Sequence, residues 1–571
     1  MPSPSTVRNS LVILLFLGIV LSQCQKKQDQ PEQTPASSQT QTTPIQQELT
    51  LDTAKVAQYI QQQVENLLIG EKVILSGDSV FSRKVLPQLY QNRSFRPAWL
   101  DTAYAATLLK AIASADQEGL MKEEYHYTAL TSLKKQLDQQ ETDSASILAQ
   151  FDILLTDGIL KYGNHLLNGK ILPKDYISTW NYKERMVGDT IVDAFQKAMH
   201  ARTIVKELDN LKPDMRIYTF FKEKLVQFHT LAQGDTLPNI PEVTTSIRPK
   251  TSQPAIALIK DRLRFWGYLP ARTDTAREYY DDSLLVAVKQ FQAMHALEAD
   301  GVIGKTTIRE MNTPVKDRID QIRINLERLR WVASSLSDRY MIVNIAAFEL
   351  YLFEQRKLLW STNVMTGAVT TSTPIFKSQI SYLVFNPTWT VPTSIVNSSI
   401  IPGIKRDASY LAKNHYTLVS YSGKTVSAES INRSTISARN FPYSVVQTPG
   451  SHNALGKVKF MFPNQYAIYL HDTPSKHLFT KTDRAFSHGC IRVQDPLKLA
   501  QILLADTLNW SAGKIQQVVG EGTTKTVFLK NKLDIMIMYW TTGMDASGYI
   551  KFYKDIYKRD PELLKALNQF T

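Results

Sequence analysis

From residue 51 to about 234, apolar residues recur with a helical period. Val56, Ile60, Val64 and Leu67 are spaced at four, four and three, and Leu155, Ile159, Tyr162 and Leu166 at four, three and four. Each set falls on one helix face, so the segment predicts an α-rich unit. Residues 237–254 place Pro238, Pro241, Pro249 and Pro254 among Thr and Ser, the composition of a linker or domain edge. Beyond it, Ile256, Ile259, Leu263 and Trp266 mark a short amphipathic helix ended by Gly267. Asp282-Ser283 can cap a second helix with Leu284, Ala287, Val288 and Phe291 on its inner face, Asp300-Gly301 makes a turn, and residues 304–312 give a third. A longer helix follows, with Val315, Ile319, Ile322, Leu326 and Leu329 at alternating spacings of four and three. That is a core stripe, not a site.

At Tyr340 the period changes to that of strands. The stretch MIVNIAAFELYLFEQRKLLWSTNVMTG carries β-rich runs broken at Ala346-Ala347 and Gln355-Arg356, which predicts a β-meander. Further β-like runs occur at 380–385, 457–461 and 467–470, and 527–557 reads as strands packing on the catalytic or scaffold part. The expected fold is multidomain α+β: an α-helical scaffold over 51–245, a small three-helix domain over 254–313, a connecting helix over 314–338, a β-rich domain over 339–519, and a C-terminal segment, 520–571, packing on the core.

Before the fold, Arg8 precedes an apolar run of 11 residues, Leu11 to Leu21. It is too short to span a membrane and suits the core of an export signal over 1–23. Leu21-Ser22-Gln23-Cys24 resembles a bacterial lipobox, although Gln23 stands where a small residue is usual; the resemblance implies lipidation of Cys24 and a membrane anchor. Residues 24–50 are nearly free of large apolar side chains and read as a flexible tether. The net charge of +13 favours polyanionic surroundings. Export excludes nucleic acid as the expected partner and leaves cell wall and anionic membrane. Two cysteines exclude a disulfide scaffold.

The candidate chemistry lies in 469–493, YLHDTPSKHLFTKTDRAFSHGCIRV. Cys490 is the one cysteine expected in the folded part, and His471, His477 and His488 are close in sequence. A thiol without a partner in an oxidising compartment is either a small buried hydrophobe or a reactive group. Gly489 beside it favours reactivity, because a glycine lets backbone amides approach a bound carbonyl, while the thiol needs a nearby base. Zinc ligation by His471, His488 and Cys490 is the competing reading. It lacks the usual Cys-x-x-Cys or His-x-x-x-His spacing, so no metal and no cofactor are expected.

His471, 15 intervening residues and then Ser487-His488-Gly489-Cys490 are similar to the signature of the YkuD-type L,D-transpeptidases. FNPTWTVP at 385–392 and QTPGSHNALGKVKF at 447–460 look like the large YcbB-like branch, which carries a helical scaffold, a peptidoglycan-binding domain and a lid inserted in its catalytic domain. FQAMHALEADGVIGKTTIREMN at 291–312 resembles the peptidoglycan-binding domain type 1 family over about 256–312. Arg492 stands where the wider family often has Asn and the large branch commonly has Arg.

The resemblance implies that Cys490 is the nucleophile and His471 the proton donor and acceptor. The amides around His488, Gly489 and Cys490 would form an oxyanion hole. His488 either orders the loop, with Ser487, or is the working base. Ser487, Arg492, Trp389 and Tyr382 are candidate substrate contacts, the two aromatics competing with a core role. A lid is expected at about 401–443. The implied activity is peptidoglycan cross-linking on tetrapeptide stems through a cysteine acyl-enzyme. Water or a free amino acid as acceptor, giving an L,D-carboxypeptidase or an exchange enzyme, and a non-catalytic wall-binding scaffold remain alternatives. The expected partners are stem peptides and glycan in the periplasm. His126, His165, His200, His229, His295 and His415 lie outside any motif and read as structural or exposed; His452 stays open.

Overall fold

The structure, a computed structural model, describes residues 52–139, 143–182, 190–271, 276–505 and 509–570. The expected export signal, the tether and Cys24 lie outside them. No helix among the described residues is long and apolar enough to cross a membrane.

The helical region starts where Asp52 caps the helix Thr53–Leu68, its carboxylate accepting the Ala54 and Lys55 amides at 3.1 Å each. The predicted face, Val56, Ile60, Val64 and Leu67, is buried against the 25-residue helix Ser144–Asn168. That second helix is buried around most of its circumference, polar residues included. Asp152 accepts the Tyr90 hydroxyl at 2.6 Å and the Ala98 and Trp99 amides at 2.7 and 2.8 Å, while burial pushes its carboxyl up to about 6. Asp157 takes the Phe81 and Ser82 amides and an imidazole nitrogen of His126. These carboxylates replace the missing apolar partners by satisfying loop backbone.

Helices Ala255–Phe265, Asp282–Met294 and Lys305–Met311 form the small domain. Their inner face is the predicted one, with Ile256, Ile259, Leu263, Leu284, Val288 and Phe291 buried. The cap of the second helix is Asp281, one residue before the expected Asp282, and accepts the Leu284 amide at 2.8 Å. The domain is clamped to its neighbours by aromatic contacts: Trp266 against Phe228, Tyr268 against Tyr549, and His295 against Phe552. The connecting helix Val315–Ala333 is buried on nearly every side. Arg330 donates to the Tyr218 hydroxyl and the Glu118 carbonyl of the scaffold, and Arg328 pairs with Asp560 at 2.7 Å, which pins the scaffold, this helix and the C-terminal segment together.

The β-rich region contains β1 (Arg339–Asn344), β2 (Glu349–Glu354), β3 (Lys357–Gly367), β4 (Phe376–Phe385), β5 (Trp389–Thr390), β6 (Thr417–Ser420), β7 (Thr425–Val426), β8 (Tyr443–Gln447), β9 (Val458–Met461), β10 (Leu470–His471), β11 (Ala485–Ser487), β12 (Ile491–Val493) and β13 (Lys525–Met538). The main sheet runs β11-β3-β12-β10-β9-β4-β13-β1-β2, and β2 also pairs with β3. The sheet therefore closes on itself and hides its edges.

The segment 520–571, expected to pack on the core, supplies a central strand of the main sheet. β13 pairs with β4 on one side and β1 on the other. Its run Ile535-Met536-Ile537-Met538 is buried on both faces, the mark of a strand covered on both sides. The insertion between β4 and β9 forms a second sheet, β5-β8-β6-β7. Its core is Val391, Val396, Ile400, Leu411, Leu418 and Val445 among others, so the layer begins before residue 401 and ends after 443.

Candidate active site

β10 and β12 run parallel, with Leu470 opposite Ile491 and His471 opposite Arg492, and the Ile491 amide donates to the Tyr469 carbonyl at 3.1 Å. Side chains alternate along a strand. Leu470 and Ile491 are fully buried in the core, so Tyr469, His471, Cys490 and Arg492 share the opposite face. Cys490 stands beside Tyr469, and His471 lies one strand across and one row further along. This register brings the predicted nucleophile and base onto one surface.

The Cys490 thiol is partly buried, with Sγ 3.6 Å from the Ala467 carbonyl oxygen. Burial pushes the thiol up, and contacts from the Tyr469 amide and hydroxyl and the charge of Arg492 pull the other way. The Tyr469 hydroxyl also meets the Trp389 side chain, which connects the inserted sheet to the thiol. His471 donates from Nδ1 to the Asp472 carbonyl oxygen at 2.5 Å. A carbonyl can only accept, so the proton sits on Nδ1 and Nε2 is the basic nitrogen. Burial first, and the Arg492 charge second, push the imidazole down to about 3. It is neutral at neutral pH, the form a general base needs. No hydrogen bond joins the imidazole to the thiol among the described residues.

The loop before Cys490 is tied from within and from below. The Gly489 amide donates to Ser487 Oγ at 3.1 Å, and that hydroxyl donates to the Cys490 carbonyl at 2.5 Å. The Ser487 carbonyl accepts the Ala368 amide and the Thr371 hydroxyl, both at 2.9 Å. Thr373 donates to the Gly489 carbonyl at 2.8 Å and accepts the Gly367 amide at 2.9 Å. Beneath them the Tyr557 hydroxyl donates to the Gly367 carbonyl at 2.6 Å and accepts the Thr373 amide at 3.1 Å. Gly489 has φ +112°, and a Cβ there would lie 3.3 Å from Ile468 Cδ1, so a side chain at this position would be strained.

Several expected contacts are redistributed. The Gly489 amide, one of the three expected at an oxyanion hole, is already spent on Ser487. Ser487 is buried and ties the loop, so it does not face a substrate. His488 is exposed and forms no hydrogen bond among the described residues; it borders a cavity of about 780 Å³ lined by Tyr176, Trp331, Thr371, Tyr466 and Tyr557. Tyr382 lies on β4, three strands from Cys490, where it packs on Phe528 with ring centres 5.3 Å apart. His477 is exposed in the turn Lys476–Thr480. The His452 and His415 rings meet tilted by 30°, with centres 4.3 Å apart. Tyr469 was readable from period two, being two residues before His471. Thr371, Thr373 and Tyr557 carry no such signal.

Residues 338–527 match the family model YkuD, described as the L,D-transpeptidase catalytic domain, residues 84–225 one described as a scaffold domain, and residues 252–311 one described as "Putative peptidoglycan binding domain". A curated relative from Haemophilus influenzae, "Putative L,D-transpeptidase", is 31% identical over 243 residues, which are 43% of this chain and 48% of the relative. The chain thus spans about half the length of that relative. Among solved structures, the L,D-transpeptidase of Xylanimonas cellulosilytica, residues 123–326, is 14% identical and covers 52% of this chain and 100% of its own, at a TM-score of 0.17. The Ldtfm-avibactam carbamoyl enzyme is 10% identical and covers 56% and 98%, at 0.15.

Proposed function

Because the chain carries an L,D-transpeptidase catalytic domain at 338–527 and a peptidoglycan-binding domain at 252–311, we propose that it cross-links peptidoglycan stems through an acyl-enzyme on Cys490. The observation that carries the reading is the placement of a neutral His471, anchored through Nδ1, on the sheet face that holds the thiol.

Burial keeps the Cys490 thiol protonated near neutral pH, so attack requires a base. His471 Nε2 takes the thiol proton as sulfur attacks the carbonyl that follows the L-centre of the third residue of a tetrapeptide stem. The bond to the terminal D-alanine breaks, its nitrogen leaves as an amine carrying that proton, and a thioester remains. A side-chain amine of a second stem then attacks the thioester, forming the cross-link and restoring the thiol. The amides of His488 and Cys490 would hold the developing oxyanion, worth about 3 kcal/mol each by analogy with other acyl-transfer sites. Arg492 favours the thiolate and disfavours an imidazolium.

The helical scaffold, wall-binding domain and inserted sheet on one chain support the large-branch reading. Export to the periplasm and a lipid anchor at Cys24 complete it. The deciding experiment is incubation of the purified protein with sacculi, followed by digestion and identification of muropeptides. New cross-links between third residues support the reading. Tripeptide stems without cross-links would mean that water is the acceptor, and no change at all would mean a wall-binding scaffold.

A further inference from the structure

Lys459, His471 and Arg492 form one row across three strands, because Lys459 pairs with His471 between β9 and β10, and His471 with Arg492 between β10 and β12. Neighbouring strands lie about 4.8 Å apart, so the two cations flank the imidazole from backbone positions roughly 10 Å apart. Val458 and Phe460 point into the core, which turns Lys459 to the face of the thiol. Neither cation has an acidic partner among the described residues. The Lys459 ammonium lies 5.8 Å from the Tyr469 ring centre, and Arg492 Nε is buried without a hydrogen-bond partner. Elsewhere the chain pairs such groups: Lys170 with Glu124, Arg330 with Glu327, Arg328 with Asp560. Burial disfavours the charge on both Lys459 and Arg492. Two half-buried cations left unpaired beside a nucleophile carry a desolvation cost that a bound anion would relieve.

Resting on the acyl-transfer reading above, we propose that Lys459 and Arg492 bind the free terminal carboxylate of the donor stem, the one belonging to the residue that leaves. Their row lies two residues, about 6.7 Å, beyond the row of Cys490 and Tyr469. With the scissile carbonyl over the thiol, the departing nitrogen comes to the His471 side and the terminal carboxylate, one residue further, reaches the cations. A stem extended by another residue has an amide in that place and loses the ion pair. The two cations thus select donors that end one residue after the scissile bond.

The test measures release of the terminal residue by the full chain from three donors: the tetrapeptide with a free terminal carboxylate, its terminal amide, and the tetrapeptide with the side-chain carboxylate of its diamino acid amidated. The unmodified protein should prefer the free acid over the terminal amide by at least tenfold in kcat/KM, as expected for a charge-assisted contact. Lys459→Met and Arg492→Met should each bring that ratio toward one, and Lys459→Arg should restore it. The ratio is taken within one variant, so a smaller folded fraction cancels. Equal use of acid and terminal amide by the unmodified protein overturns the inference alone, as do two Met variants that keep the original ratio. A preference that collapses only for the side-chain carboxylate overturns the assignment of the terminal one. No release from any donor overturns the acyl-transfer reading, and this inference with it.

Discussion

Arg492 stands directly opposite His471 across the parallel strands β10 and β12, and after burial its charge is the strongest influence keeping the imidazole neutral. The same guanidinium favours ionisation of Cys490. One side chain therefore biases both partners toward a neutral base and a nascent thiolate.

His471→Ala should slow acylation of Cys490 by a carbapenem about 100-fold or more, the range for losing a positioned acid–base group. Raising the pH should rescue it in part, since solvent then supplies thiolate. His488→Ala should show no such rescue, its side chain being exposed and unbonded. Stopped-flow acylation across pH decides, and rescue confined to His488→Ala would exchange the two roles. Cys490→Ala should give no adduct in intact-mass spectra.

Acidification should weaken the fold through His471. In the unfolded chain its imidazole binds a proton near 6.5, whereas in the fold it does so near 3. Between those values the unfolded state holds more protons, so stability falls as pH drops from about 6.5 toward 3 and is unaffected by this group above 6.5. Buried His165 and His295, both lowered by burial, act in the same direction. Melting temperatures of the unmodified protein and His471→Gln between pH 7 and 4 test the point: the variant should lose less on acidification. Parallel curves would contradict it.

Ser487→Ala removes the hydroxyl that accepts the Gly489 amide and donates to the Cys490 carbonyl. Leaving those groups unpaired should cost about 1–3 kcal/mol locally and lower acylation, while Ser487→Thr should retain most activity. Tyr557→Phe acts one layer deeper, on Gly367 and Thr373. It should lower acylation about tenfold with a small change in melting, because the groups it frees are few. Unchanged acylation in both alanine and phenylalanine variants would show that the loop is held by other means.

Truncation at the two ends should have opposite results. Ending the chain at Gly520 removes β13 from the middle of the main sheet, so the product should lack a cooperative melting transition. Starting it at Asp52 should leave turnover on dissolved stems unchanged. Circular dichroism and turnover of both forms measure this, and a folded, active 52–520 chain would refute the central role of β13.

Legibility in the sequence followed physical range. Periods of 3.6 and 2 exposed Val56 to Leu67, the inner face of 284–291 and the strands at 380–385 and 457–461, because each pattern is local, whereas the two- and three-residue strands on either side of Cys490 are too short to show a period. The long helix at 144–168 read as amphipathic, but its polar side is buried, since Asp152 and Asp157 satisfy backbone amides of distant loops. The continuous apolar run in β13 could not reveal its neighbours, because a strand buried on both faces has no alternation. Gly489 stood out as a glycine beside a cysteine, but that its amide is consumed by Ser487 depends on loop geometry. Tyr557 supports that loop across a tertiary contact that no spacing encodes.

The aromatic clamps on the small domain, Trp266 on Phe228, Tyr268 on Tyr549 and His295 on Phe552, have a consequence for reach. A wall-gripping module on a slack leash would let one foothold serve many stems at varied distances. Held between the scaffold helix that carries Phe228 and the C-terminal hairpin that carries Tyr549 and Phe552, it would act instead as a caliper with fixed jaws. If the proposed function holds, the spot on the glycan where the small domain takes hold would dictate which stem can meet Cys490, and the spacing of the cross-links along a strand would become a ruler mark of the protein itself.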